Sequence, residues 1–236
     1  MSKGRLSIWL PNLQGGGAER VSVNLANGFI QRGYAVDIVL LSATGEFLPD
    51  LHPEIRVVDL QVKRLRSAVL PLMRYLRQTK PTAVLACMWP LTIVALWART
   101  LAQVPTRVLV AEHTTWSRDK IASTSWRRWK VGNSMRYAFP GADGFVTVSN
   151  GAADDLARFA NLDLKAIAVM HNSITGDTRP RADGPLDPVR WWMRSHRKVL
   201  AVGALKLNKN YGTSLHAFAR LLIFGGGYCR AVLRAG

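Results

Sequence analysis

The stretch LSIWLPNLQGGGAERVSVNLANGFIQRGYAVDIVLL, residues 6–41, decides the fold. It reads strand, glycine-rich turn, helix, strand. Residues 6–10 are a short apolar run with strand character. Gly15, Gly16 and Gly17 follow, and a helical pattern starts at Ala18. Val21, Leu25, Ala26 and Phe29 recur at helical spacing. Gly33 marks the helix C-terminus, and residues 36–41 read as the next buried strand. Three glycines at that point let backbone approach a ligand closely, and the following helix presents unpaired N–H groups. That geometry suits a phosphate. A tight turn with no ligand is the alternative.

Two well-known phosphate loops fit poorly. A dinucleotide fingerprint needs a third glycine where Arg20 stands, and an acidic residue closing the second strand. That strand closes in Leu40, Leu41 and Ser42, with Asp37 near its start. A P-loop needs Gly-Lys-Ser or Gly-Lys-Thr, which does not follow.

Working outward, strands are expected at residues 55–60, 83–87, 107–111, 144–148 and 165–170. Helices are expected at residues 65–79, 91–101 and 152–159, with Ser149 or Asn150 as a cap for the last. Alternating strands and helices imply a Rossmann-like, doubly wound parallel sheet. Right-handed crossovers bring every strand's C-terminal end to one edge, where ligands bind. The glycine loop, His113, Ser149 and Asn172 all follow strand ends. His171 beside Asn172 faces that edge or caps the strand.

Residues 1–175 are expected to form this first domain. Residues 176–197 are rich in Gly and Pro and read as a linker, with a short helix near residues 189–193. Residues 198–236 open a second, incomplete Rossmann-like domain: a strand at 198–203, a polar loop at 205–210 and a helix at 211–222. Residues 223–236 supply one strand and a basic tail, the run GGGYCRAVLRAG fits no further element, and the chain reads as a truncated product.

Composition narrows the classes. The 236 residues are 48% hydrophobic, enough for a packed core. Cys87 and Cys229 show no metal spacing and no disulfide framework, which favours a reducing compartment. Neither a secretory signal nor a membrane span is evident, since Pro90 divides the longest uncharged run. Lys and Arg number 32 against 15 acidic residues, a net charge of +17. Such a balance favours an anionic partner. No nucleic-acid-reading module accompanies it, so no nucleic acid is expected as a partner.

Four pieces, in order, resemble glycosyltransferases of family four, retaining enzymes of the GT-B fold. They are GGGAER (residues 15–20), AEHTTWS (111–117), VTVSNGAADDLAR (146–158), and VMHNSI (169–174) followed by VGALKLNKN (202–210). The resemblance covers residues 5–222. It implies transfer of a sugar from a nucleotide-sugar donor to a glycolipid or polysaccharide acceptor. It also implies a cytoplasmic enzyme, peripheral on the inner membrane face, as for similar enzymes that extend lipopolysaccharide or capsule. No cofactor beyond the nucleotide-sugar co-substrate is implied, and no metal, because no Asp-x-Asp segment is present.

By the same resemblance, His113 is the catalytic candidate, contacting the donor sugar through a neutral ring. Gly16, Gly17 and Lys209 would bind the donor diphosphate. Gly15, Glu19, Ser149, Asn172 and Lys206 are candidates for the cleft. Two departures stand out. Ala204 occupies the place of an arginine that would grip the diphosphate, and the family's paired-glutamate segment has no counterpart here. Weak or absent turnover is therefore expected. A non-catalytic remnant that binds anionic lipid or a partner protein is the alternative.

Trp126, Arg127, Arg128, Trp129 and Lys130 lie in an aromatic and basic stretch that also holds Trp116, Met135, Arg136 and Tyr137. This stretch reads as a membrane or acceptor contact. An ordinary amphipathic helix with its tryptophans in the core is the other reading. Asp154 and Asp155 are expected in a first helical turn, in a structural role. His52, His196 and His216 stand in no constellation.

Overall fold

The computed structural model describes residues 3–118, 124–172, 197–202, 210–224 and 229–234. The chain divides into two compact units, Met1–Gly176 and Asp177–Gly236.

The first unit is built on seven strands: β1 (Arg5–Leu10), β2 (Ala35–Leu40), β3 (Arg56–Asp59), β4 (Ala83–Cys87), β5 (Arg107–Glu112), β6 (Gly144–Thr147) and β7 (Ile167–Val169). They lie in the order β3-β2-β1-β4-β5-β6-β7, and every neighbouring pair is parallel. Parallel strands need crossovers, and five helices supply them. These are α1 (Gly17–Gln31), α2 (Val69–Thr79), α3 (Leu91–Ala102), α4 (Ser125–Ala138) and α5 (Asn150–Ala160). The sheet is therefore an α/β Rossmann-like parallel sheet, as the alternation of patterns predicts. Residues 65–79 depart from the expected single helix. They begin as a 3-10 turn at Leu65–Ala68 and become α-helical only from Val69, with Pro71 in the first turn, where a missing N–H costs nothing.

The two faces of the sheet are covered unequally. Because side chains alternate along a strand, Trp9 buries on one face and Ile8 and Leu10 on the other. The Trp9 face carries Val84, Ala86, Val108 and Val110 and packs under α2 to α5. Helix α3 is almost wholly apolar because it lies between that sheet face, α2 and α4. The other face carries α1, packed on β1 and β2. Of the four α1 positions picked out by spacing, only Ala26 is fully buried, alongside Ser22 and Val23. Val21, Leu25 and Phe29 are half-buried. They look across Leu85, Leu109 and Val146, forming one wall of an open apolar groove of ≈ 340 Å³.

At the amino-terminal end of the strands a polar cluster pins the sheet. Asp37 is fully buried and accepts from Arg5 Nη1 at 2.5 Å, Arg56 Nη2 at 2.5 Å and the Tyr75 hydroxyl at 2.6 Å. Ser7 Oγ lies 2.6 Å from the same hydroxyl. Two guanidiniums and a phenol around one carboxylate supply the partners a buried charge requires. Asp37 thus ties β1, β3 and α2 together, far from the ligand edge.

In the second unit β8 (Arg197–Val202) and β9 (Cys229–Arg234) pair in parallel, with α6 (Tyr211–Phe224) between them in sequence. The strand expected in residues 223–236 is β9, and with it the opening βα unit becomes a βαβ unit. The linker and its expected short helix lie outside the described residues, except for Arg197.

The glycine loop is held by a second loop. Leu13 N–H donates to Thr44 O at 2.8 Å and Phe47 N–H to Leu13 O at 3.2 Å. Gly45 sits at φ +134, and a Cβ there would overlap the Leu13 backbone. Gly17 has open space around it and ordinary backbone angles. Gly45→Ala is expected to destabilise the unit by about 3 kcal/mol or more. Gly17→Ala is expected to be neutral or slightly stabilising. Urea unfolding of the two variants checks the contrast.

Candidate functional site

The carboxyl ends of β1, β4, β5, β6 and β7 share one edge, and the expected site residues gather there. Gly16 is the N-cap of α1, with φ −135, and makes no side-chain cap bond. Gly15 and Gly17 are exposed. The loop is thus on the rim rather than packed under it, with the first N–H groups of α1 open to an anion.

Two carboxylates crowd this loop. A Cβ on Gly15 would overlap Glu46 Oε1, and one on Gly16 would overlap Glu19 Oε2. Glu19 lies in the first turn of α1, where negative charge suits the helix dipole. Sequence reading found Glu19 but missed Glu46, whose approach depends on the loop around Gly45. Arg20, which breaks the dinucleotide pattern, is structural. It pairs with Asp50 at 2.7 Å and lies 4.1 Å over the Phe47 ring.

His113 follows β5 and is half-buried. Burial lowers its pKa below the ordinary histidine range, so the ring is neutral near pH 7. Its Nδ1 is buried and has no hydrogen-bond partner among the described residues. A buried polar atom without a partner costs free energy until a ligand or water meets it. His113 lines one end of the apolar groove together with Glu112, His171 and Asn172. His171 Nδ1 lies 3.2 Å from Val148 O.

Glu112, beside His113, is a residue the sequence offers as ordering the loop and not as a base. It is 1% exposed, and Oε2 accepts from Trp89 N–H at 3.3 Å while Oε1 accepts from the Thr92 hydroxyl at 3.4 Å. The carboxyl joins the end of β5 to the turn between β4 and α3. Burial raises its pKa to about 8, only partly offset by the two hydrogen bonds. Cys87 is buried nearby and its thiol is pushed up to about 12 by burial, which makes it inert.

The remaining candidates divide. Ser149 caps α5 by accepting from Ala152 N–H at 3.2 Å, so its hydroxyl is engaged locally at the rim. Helix α5 begins at Asn150, which moves Asp154 and Asp155 beyond the first turn. Asp155 is buried and accepts instead from Ser117 N–H at 3.0 Å. Lys206 and Lys209 lie outside the described residues. In the aromatic stretch, Trp116 and Met135 are core residues, with Trp116 5.7 Å edge-on to Trp89. Trp126 and Trp129 are exposed, which removes the reading that placed them in the core. Trp126, Arg127, Arg128, Trp129 and Lys130 do not line the groove of His113. Among the described residues no group of three or more His, Cys, Asp or Glu is placed to hold a metal ion. No helix there is long and apolar enough to cross a membrane.

A parallel Rossmann-like sheet of this kind is typical of the GT-B fold. The family model for Glycosyltransferase Family 4 matches residues 15–177, and the chain belongs to that family. Among solved structures it is similar to sucrose-phosphate synthase from Thermosynechococcus elongatus, at TM-score 0.70 and 17% identity, covering 99% of this chain and 63% of that one. It is also similar to Anabaena HepE in complex with UDP-glucose, at TM-score 0.62 and 14% identity, covering 99% and 70%. A third is the apo form of lipopolysaccharide outer core galactosyltransferase WaaB, at TM-score 0.61 and 14% identity, covering 97% and 60%. The chain therefore spans about 60% of the length of that last enzyme. No curated protein sequence matches.

Because Glu112 holds its proton more tightly folded than unfolded, its contribution to stability is full below the unfolded value of 4.5. It is lost as pH rises toward the folded value of about 8. Glu112→Gln removes that term. The stability gap between wild type and variant is expected to shift in favour of the variant between about pH 5 and pH 8. The slope approaches 1.4 kcal/mol per pH unit, roughly, in urea melts.

Proposed function

We propose that this chain carries the acceptor-side half of a retaining glycosyltransferase site, which moves a sugar from a nucleotide-sugar donor to a glycolipid or polysaccharide acceptor. The observation that carries the reading is the unpartnered, buried Nδ1 of His113 at the strand edge that also bears the open N-terminus of α1. Family membership gives the reaction class its weight.

The chemistry follows from charge. Cleaving the bond between the anomeric carbon and the diphosphate builds positive charge on the sugar and negative charge on the leaving phosphate. Amides at Gly16 and Gly17 meet that negative charge. His113, neutral, hydrogen-bonds a donor sugar hydroxyl and orients it, while Gly15 and Asn172 border the donor. Glu19 and Glu46 swing away as the diphosphate arrives, since like charges at that loop oppose it. The reaction takes place on the cytoplasmic side of the inner membrane. The crowding of the glycine loop by two carboxylates favours, as a second reading, a non-catalytic remnant that binds anionic lipid or a partner protein.

The test is release of nucleoside diphosphate from a panel of UDP-, GDP- and ADP-sugars, with and without a lipid acceptor extract. UDP-glucose comes first, because the similar Anabaena protein binds it. Release from at least one donor is expected, reduced by roughly 100-fold in His113→Ala. A panel that is neither bound nor turned over would transfer support to the remnant reading. Full activity in His113→Ala would remove that residue from the site.

A further inference from the structure

His113 sits in a segment that one residue, Trp89, grips at both ends. Strands β4 and β5 pair in register as far as Cys87 and Ala111. Met88 N–H carries the pairing on, donating to Ala111 O at 2.9 Å. At the next step a side chain takes over. Trp89 N–H donates to Glu112 Oε2 at 3.3 Å, and Glu112 Oε1 accepts from the Thr92 hydroxyl in the first turn of α3. Further along the chain, Trp116 is buried and meets the Trp89 ring edge-on at 5.7 Å. Trp89 therefore holds Glu112 through its backbone and Trp116 through its ring. His113 lies between the two.

The turn that presents Trp89 has an uncommon shape. Met88 stands at φ +65, a left-handed conformation that a residue with a Cβ keeps only where its surroundings fix it. Met88 O accepts from Leu91 N–H at 3.0 Å and Thr92 N–H at 3.3 Å, and Trp89 Nε1 donates to Ser134 Oγ of α4 at 3.0 Å. The two Glu112 bonds belong to the same set of fixings. The titratable groups around that carboxyl are Cys87 of β4, Glu19 of α1, which acts on the same thiol, and His113 and His171, which line the groove with it. From α3, α4 and β6 the facing residues are Thr92, Ser134 and Thr147. Arg32, the cation that lines the groove, stands at the far end of α1. Glu112 forms no ion pair among the described residues. A negative charge on it is therefore uncompensated and favours opening the carboxyl to water.

We propose that Glu112 is a positioning residue for His113, acting through Trp89: its uncharged carboxyl locks the Met88–Leu91 turn to the end of β5 and so fixes the place of the imidazole. The proposal rests on the reading of His113 as the donor contact and extends it to two residues that touch no donor. It also fixes a direction with pH. The enclosed arrangement prefers the protonated carboxyl, so the lock is firm in neutral solution and loosens as pH rises through about 8. Cys87 keeps its proton over that range, and the His113 ring is already neutral there.

The experiment reads the His113 imidazole and the Trp89 indole N–H by NMR in the ligand-free full chain, and then affinity for UDP-glucose. Glu112→Leu keeps the bulk but offers Trp89 N–H no acceptor. It is expected to shift or broaden the His113 ring signal and to weaken UDP-glucose about tenfold. Glu112→Gln keeps an oxygen for Trp89 N–H and is expected to stay within about threefold of wild type. Between about pH 7 and pH 9 the wild-type His113 and Trp89 signals are expected to move together, and those of Glu112→Gln to stay put. Tyr75→Phe, which loosens the Asp37 cluster at the other end of the sheet, is the control and should leave the ring unmoved. Thermal melts check folding. If Glu112→Leu does not fold, the pH comparison of wild type with Glu112→Gln decides alone. A ring unmoved in Glu112→Leu, moved equally in Glu112→Gln or Tyr75→Phe, or following pH alike in wild type and Glu112→Gln would overturn the proposal. Coupled signals in a chain that binds no UDP-glucose would uphold Glu112 as the positioning residue and count against the donor reading instead.

Discussion

Seven strands hydrogen-bonded in one direction impose the geometry on which everything else rests. A parallel ladder cannot be closed by tight turns, so each strand is followed by a crossover, and each crossover starts from the same edge. The glycine loop after β1, Glu112 and His113 at β5, Ser149 after β6 and Asn172 after β7 lie along one sheet edge because of that constraint. Asp37 and its partners act at the opposite end. They fasten β1, β2, β3 and α2 where no ligand is expected, which leaves the carboxyl edge free of structural ion pairs from that cluster.

Two kinds of polar group stand at the rim, and their environments separate their roles. Glu112 is enclosed and doubly hydrogen-bonded, so it orders the turn between β4 and α3 and carries no charge below about pH 8. His113 is half-buried and neutral, and its enclosed Nδ1 has no partner among the described residues. An enclosed neutral acid beside a neutral imidazole adds no negative charge where a diphosphate would sit. The carboxylates of Glu19 and Glu46 are the exception, and they crowd the glycine loop itself.

The alternation of apolar runs and helical patterns made the fold legible, because a buried parallel strand has few other ways to look. The αL residue Gly33 after α1 and the Ser149 cap were legible for the same local reason. What failed were features set by distant chain. Val21, Leu25 and Phe29 share a helical stripe with Ala26, yet the sheet beneath their side is bare, so they line a groove instead of a core. Nothing local says that Glu46 folds back on Gly15, since Gly45 at φ +134 makes that approach. Trp116, Trp126 and Trp129 looked alike in sequence, and only packing against Trp89 and Phe159 separates the core ring from the surface pair.

The claim at the centre is that the open N-terminus of α1 and the unpartnered ring of His113 serve one anionic sugar donor. Amide and imidazole NMR shifts, followed as a nucleoside diphosphate sugar is titrated into the isotope-labelled chain, test it most directly. The amides of Gly16, Gly17 and Ala18 and the His113 ring should shift together along one binding curve. Saturable shifts that leave both places untouched, or that move the glycine amides without His113, would contradict it.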